Sequence, residues 1–269
     1  KVIAGFFSRS KTKTKKKSKF NNLKKNKIYN DLNSFIKNER KNIDVCIILT
    51  PPTGRYKIYK ELTKNRIKFI TEKPFEKSYQ NSLKAYKLLY NKNLFLGSTY
   101  NYLNYPALME IPNLLKRIGK INYFRFEMPQ QSSVFYRNFM KKWRMKDKNN
   151  IPNLYLDLAS HLISFMIYFF KKLPVKVLSH DNLDKSKQFF VNNNSLLEFK
   201  NFHGNIWFTK NAAGRRNDIK IEIYGEFGSL HWCHKSPELI KIYDNRGSMH
   251  IVDRLNTKTK YFRNNNFYT

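Results

Sequence analysis

Four short stretches hold residue types whose spacing could support chemistry. Thr50-Pro51-Pro52 closes one apolar run, and Glu72-Lys73-Pro74 closes the next. A lysine held at the carboxyl end of a parallel strand by a following proline is placed to act on a ligand. Asp157 and His161 lie four residues apart in Asp-Leu-Ala-Ser-His. That spacing puts both on one helical face, about one turn apart. A carboxylate beside an imidazole raises its basicity, and histidine is the natural acid–base group near neutral pH. Read alone, the pair also fits a self-satisfied core contact, and Lys73 also fits a surface lysine in a lysine-rich chain. The fourth stretch is His231-Trp232-Cys233-His234. On a strand, alternation sends His231 and Cys233 to one face and His234 to the other. No second ligand pair stands at a fitting distance, so no metal site is expected. A P-loop, a nucleophile elbow and a G-x-G-x-x-G loop are all missing from the sequence.

The elements that must position these groups follow from hydrophobic patterning. Val2 to Phe7 reads as a buried strand ending at Ser8-Arg9-Ser10, and Ile28-Tyr29 as a short strand. Asn30-Asp31 offers an N-cap for a helix to about Lys41. Asp44 to Thr50 is a continuous apolar run bounded by prolines, the pattern of a parallel strand buried on both faces. A helix over Tyr56 to Asn65, a strand over Ile67 to Thr71, a helix after Ser78 and a strand over Leu94 to Ser98 complete the alternation. Strands alternating with helices predict a Rossmann-type, doubly wound parallel sheet over residues 1–98. Ligands then bind outside the carboxyl ends of the strands, where Thr50 and Lys73 stand.

The rhythm changes over residues 99–269. Ala107 to Arg117 is amphipathic with a weak point at Pro112, Ile121 to Glu127 alternates, and Leu154 to Phe170 is a strongly apolar helix. After Pro174 come strands at 174–180, 188–199, 205–209, 218–225, 228–234, 238–244 and 248–253, joined by links too short for crossover helices. This predicts a C-terminal α+β domain with a largely antiparallel open sheet.

Composition narrows the classes. Of 269 residues, 52 are Lys or Arg and 19 are Asp or Glu, a net charge of +33. With 41% hydrophobic and 16% aromatic residues, the chain is a globular protein rather than a disordered polycation. Lys outnumbers Arg by about three to one, and Asn, Ile, Phe and Tyr are raised with it, a set that AT-rich codons produce. Base and phosphate readers lean on Arg, so the charge argues against a dedicated nucleic-acid role. The stretch Lys11 to Lys25 reads as a solvated surface rather than a polyanion-binding run. Cys46 and Cys233 stand in unlike contexts, which excludes a disulfide scaffold and suits a reducing cytoplasm. The longest apolar run, Leu162 to Phe170, is too short to span a bilayer.

Taken in order, IDVCIILTPP, KFITEKPF, LDLASHLISFMIYF, IEIYGEFGSLHW and SPELIKIYD resemble the Gfo/Idh/MocA family, the glucose–fructose oxidoreductase and inositol dehydrogenase type. The resemblance covers nearly the whole chain, and E-K-P followed at second-domain distance by D-x-x-x-H is its specific part. GSTYNYLNYPALMEIPNLLKRIGKI is similar to the branch acting on nucleotide-linked sugars in surface-polysaccharide synthesis. The resemblance implies NAD- or NADP-dependent oxidation or reduction at a carbon of a sugar, polyol or nucleotide sugar. It makes His161 the general base on the reacting hydroxyl, with Lys73 stabilising charge on the same oxygen. Asp157 would bind a neighbouring hydroxyl and help hold His161. Thr50, Pro51 and Glu72 would line the nicotinamide-ribose side, and Arg144, in Trp143-Arg144, becomes a substrate ligand. A homo-oligomer through the C-terminal sheet is also implied.

The departures bear on the cofactor. The family opens with a strand and a glycine loop that grips the pyrophosphate, whereas this sequence starts, at Lys1, on what resembles the second strand. The expectation is a truncated Rossmann domain with weakened dinucleotide affinity. The second strand ends in Ser8 and Arg9, where an acidic residue is common, which suits a 2′-phosphate and leans toward NADP. Arg55 stands where the family often has His, and Ser164 where it often has Asp. A non-catalytic relative kept for binding or assembly, and a basic polyanion-binding protein, are the alternatives.

Overall fold

A computed structural model describes residues 6–7, 28–90, 92–131, 151–184 and 189–253. The chain divides into two compact units, Lys1–Thr99 and Tyr100–Thr269.

In the first unit, β1 (Phe6–Phe7) pairs in parallel with β2 (Ile28–Tyr29). Helix α1 (Leu32–Glu39) follows, capped by Asp31, whose carboxylate accepts the Ser34 N–H at 2.6 Å. Then come β3 (Val45–Ile48), α2 (Arg55–Lys64), β4 (Lys68–Glu72), α3 (Tyr79–Tyr90) and β5 (Leu96–Thr99). Strands β3, β4 and β5 form a parallel sheet in that order. This is the Rossmann-like arrangement that the alternation predicts. Its core gathers Phe35 and Ile36 of α1, Tyr59 and Leu62 of α2, Ala85 and Leu89 of α3, and the strand residues Ile48 and Phe69.

One expectation is corrected. The run Asp44 to Thr50 is not buried on both faces: Val45, Ile47 and Leu49 are 42%, 61% and 69% exposed. Helices cover the face bearing Ile48 and Phe69. Strand alternation turns the odd-numbered residues of β3 to the opposite face, which no described element covers. A continuous apolar run is therefore retained at a half-covered sheet edge.

The second unit packs two helices on one face of an eight-stranded sheet. The strands are β6 (Ile121–Pro129), β7 (Lys176–Asp184), β8 (Phe189–Glu198), β9 (His203–Thr209), β10 (Lys220–Gly225), β11 (Gly228–Cys233), β12 (Ile240–Asp244) and β13 (Met249–Val252). Their order is β13-β12-β11-β10-β6-β9-β8-β7, antiparallel throughout except for the parallel β6–β9 pair. Helix α4 (Pro106–Ile118) starts with Pro at its first position, where no N–H is needed, and continues through Pro112. The apolar helix is α5 (Ser160–Phe170), entered through a π turn over Tyr155–Ala159. Phe124 and Phe126 of β6, Phe165, Phe169 and Phe170 of α5, Phe208 of β9 and Ile221 of β10 share one core. At the Gly225–Gly228 turn, a Cβ on either glycine would meet the backbone carbonyl of Ile118 or Tyr243, so only glycine lets the chains approach so closely.

Candidate functional site

The first unit presents the carboxyl ends of β3 and β4. Their spacing is set by Arg55, 2% exposed at the start of α2. Its Nε donates to the Thr50 carbonyl at 2.9 Å, and its guanidinium also bonds the carbonyls of Glu72 and, at 2.6 Å, Pro74. One planar fork thus clamps the Thr-Pro-Pro and Glu-Lys-Pro segments together. Behind it, Tyr59 is fully buried between the rings of Phe69 and Phe75, and its hydroxyl donates to the Phe75 carbonyl at 2.6 Å. The Lys73–Pro74 peptide is cis, and Lys73 is half-buried. The Glu72 carboxylate accepts the Thr99 hydroxyl. Arg55 is therefore a clamp, a role that its position in the sequence does not disclose.

The dinucleotide can be tested against these residues. The Thr50 hydroxyl is buried and lacks a hydrogen-bond partner in the described structure. An orphaned hydroxyl at the carboxyl end of a parallel strand suits a ligand group, so Thr50 is compatible with the nicotinamide-ribose side, whereas the Glu72 carboxylate is already engaged by Thr99. Ser8 and Arg9 lie outside the described residues, as does the Lys11 to Lys25 run.

The second unit carries Asp157 and His161. The π turn holds Asp157, and His161 sits in the first turn of α5, 3% exposed. Single wide turns of this kind frequently occur at functional sites. The Asp157 carboxylate forms an ion pair with Lys210, Nζ to Oδ2 2.5 Å, and Lys210 is only 5% exposed. Ser164 donates its hydroxyl back to the His161 carbonyl at 2.6 Å. The imidazole meets the ring of Tyr102 edge-on, centroids 4.7 Å apart, and that of Tyr100 at 6.2 Å. Tyr102 in turn accepts a hydrogen bond from the Asn217 amide, and Gln130 donates to Asn217 at 2.7 Å. Burial raises the pKa of the Tyr100 and Tyr102 phenols, keeping this aromatic wall neutral. Trp143 and Arg144 lie outside the described residues.

Lys210, Tyr102 and Asn217 escaped the sequence reading. Lys210 directly follows the alternating strand β9, which is its sole signal, and lysine is too common here for that to stand out. His231 and Cys233 share a strand face, and His234 turns inward onto Tyr102 and Tyr105. Among the described residues, no three His, Cys, Asp or Glu side chains gather as a metal site.

Two family models match the chain in succession. Residues 2–100 match the oxidoreductase family with an NAD-binding Rossmann fold, and residues 115–231 match the GFO/IDH/MocA C-terminal domain. The chain belongs to the GFO/IDH/MocA oxidoreductase family. Solved structures share the fold of this family member. An inositol dehydrogenase homolog from Azotobacter vinelandii, complexed with NADH and myo-inositol, superposes with a TM-score of 0.84 at 16% identity, covering 94% of this chain and 68% of that one. A levoglucosan dehydrogenase complexed with NADH and levoglucosan gives 0.81 at 20% identity, covering 93% and 71%. An oxidoreductase from Sinorhizobium meliloti gives 0.82 at 19% identity, covering 97% and 73%. No curated protein matches the sequence.

Proposed function

We propose that this GFO/IDH/MocA protein interconverts a hydroxyl and a carbonyl on a sugar or polyol with a nicotinamide cofactor. The observation that carries the reading is His161, buried against an aromatic wall one turn from a carboxylate fixed by Lys210. The dinucleotide supplies the hydride acceptor or donor when bound. His161 takes the proton from the reacting hydroxyl, Lys73 donates to the same oxygen and offsets its developing charge, and Asp157 accepts from a neighbouring hydroxyl. Thr50 and Glu72 hold the nicotinamide ribose, with Pro51 against it.

The A. vinelandii homolog binds myo-inositol and the second neighbour binds levoglucosan, both beside NADH, which supports a polyhydroxylated substrate and NAD. A nucleotide sugar of surface-polysaccharide synthesis is the finer reading, since a strongly cationic chain favours acidic substrates. NADP belongs in the same assays because of Arg9. Cys46 and Cys233 are free thiols, in keeping with a reducing cytoplasm. Among the described residues, no helix is long and apolar enough to cross a membrane. Pairing of two copies through the outer sheet face is supported by Leu178, Leu196 and Met249, which stand 69%, 52% and 49% exposed there.

The test is cofactor titration followed by turnover on a panel of myo-inositol, hexoses and nucleotide sugars, with NAD and NADP in parallel. Reduced-cofactor formation with one substrate class supports the reading. Saturable cofactor binding without turnover on any of them would favour the non-catalytic alternative.

A further inference from the structure

Tyr102 lies between the proposed base and a chain of amides that starts at the end of the eight-stranded sheet. Its ring meets the His161 imidazole edge-on, centroids 4.7 Å apart, and it is half-buried. The direction of the hydrogen bonds reaching it decides what its hydroxyl can do. Gln130, directly after β6, is fixed through its backbone. Its N–H donates to the Thr209 carbonyl at 2.8 Å, and its carbonyl accepts the Ala212 N–H at 3.0 Å. Its Nε2 donates to Asn217 Oδ1 at 2.7 Å, so Asn217 turns its own Nδ2 toward Tyr102 as a donor. Asn217 has a φ of +62°, a left-handed conformation that Asn and Asp tolerate better than most residues.

Tyr102 Oη therefore accepts from Asn217, and its own hydrogen must go to another acceptor. Among the described residues, no carbonyl or side chain takes it. Burial raises the pKa of the phenol, and the Asp157 carboxylate pushes the same way, so the hydrogen is retained at neutral pH. A phenol that accepts from an amide also donates more strongly, because bonds in a chain polarise one another.

The same end of the sheet anchors the other polar group beside His161. Thr209 receives Gln130, and the next residue, Lys210, holds Asp157 at 2.5 Å. An acceptor, Asp157, and a donor, Tyr102, thus flank the imidazole. A polyhydroxylated ligand suits both, since each hydroxyl can donate and accept. Resting on the reaction proposed above, we infer that Tyr102 is a specificity-determining residue. It donates its O–H to a second substrate oxygen, distinct from the one facing His161, and Gln130 and Asn217 set the direction of that bond.

The experiment titrates the full chain, with NADH present, with myo-inositol, D-glucose and UDP-glucose, and reads affinity by saturation transfer to the ring protons. The tightest-binding probe is then compared with its monodeoxy derivatives. Tyr102→Phe should weaken that probe about fivefold, the scale of one neutral hydrogen bond. Asn217→Asp is nearly isosteric, tolerates the same φ and still accepts from Gln130, but it offers Tyr102 an acceptor in place of a donor. It should capture the phenol hydrogen and weaken binding by a similar factor. For one monodeoxy derivative, the one lacking the oxygen that Tyr102 reaches, the parent and Tyr102→Phe should bind alike. A purely structural role would penalise every derivative equally. Thermal unfolding checks each variant, and Asn217→Asp carries the comparison if Tyr102→Phe does not fold. Overturning results are no binding of any probe to the parent, undiminished binding in folded Tyr102→Phe or Asn217→Asp, or the same penalty for all monodeoxy derivatives. A parent chain that binds a probe through Tyr102 but turns none over would remove the proposed reaction and leave this assignment standing.

Discussion

Lys210 Nζ lies 2.5 Å from Asp157 Oδ2, tying the end of β9 to the π turn that precedes α5. The ammonium is nearly buried, and this carboxylate offsets part of its cost of desolvation. The pair therefore does two things. It holds the turn that aims α5 and His161, and it fixes the orientation of the carboxylate proposed to receive substrate.

Removing one member should cost more than removing both. Lys210→Met removes this nearly buried ion pair, and a loss of about 3 kcal/mol is expected. The double variant Lys210→Met/Asp157→Leu should recover a good part of that loss. Urea unfolding of the two singles and the double measures the coupling, and purely additive effects would show that the pair is not a unit.

Arg55→Lys should behave as a severe change. Lysine keeps the charge but cannot span the carbonyls of Thr50, Glu72 and Pro74 with one planar group. Losing charged hydrogen bonds to buried carbonyls should destabilise the first unit by about 2 kcal/mol. Cofactor affinity should fall as well, because Thr50 and Glu72 lose their common tether. Unchanged unfolding and unchanged cofactor titration would show that the clamp is dispensable.

Glu76 makes a pH-dependent prediction. It is 4% exposed, one carboxylate oxygen lacks a partner, and burial raises its pKa above the ordinary carboxylate value. A group with a raised folded pKa holds its proton more tightly in the native state than in the unfolded one. Its contribution is complete below the unfolded pKa and is lost as pH rises through the folded one. Glu76→Gln, which cannot ionise, should therefore melt above the parent at neutral pH. The gap should close as pH falls toward about 4. A pH-independent gap between the two melting curves would contradict this assignment.

Much of this architecture was legible in the sequence. The alternation from Ile28 to Thr99 and the run of strands after Pro174 report local patterning, and the structure follows both closely. The Asp157–His161 spacing likewise located a buried imidazole. Three features were not legible, each for a physical reason. The open face of β3 depends on what packs above it, which an apolar run does not encode. The clamp of Arg55 acts through backbone carbonyls, which carry no residue type to recognise. Lys210 and Asn217 reach the neighbourhood of α5 from residues 53 and 115 positions away from their partners, and such contacts leave no periodicity behind.

The most direct test of the account is steady-state turnover of His161→Asn on the best substrate of the panel, set beside its cofactor affinity. The proposed general base predicts a fall in kcat of about 10²–10⁴-fold. Cofactor affinity should stay within a small factor of the parent. A folded His161→Asn protein that turns over at the parent rate would contradict the assignment of His161 and the reading built on it.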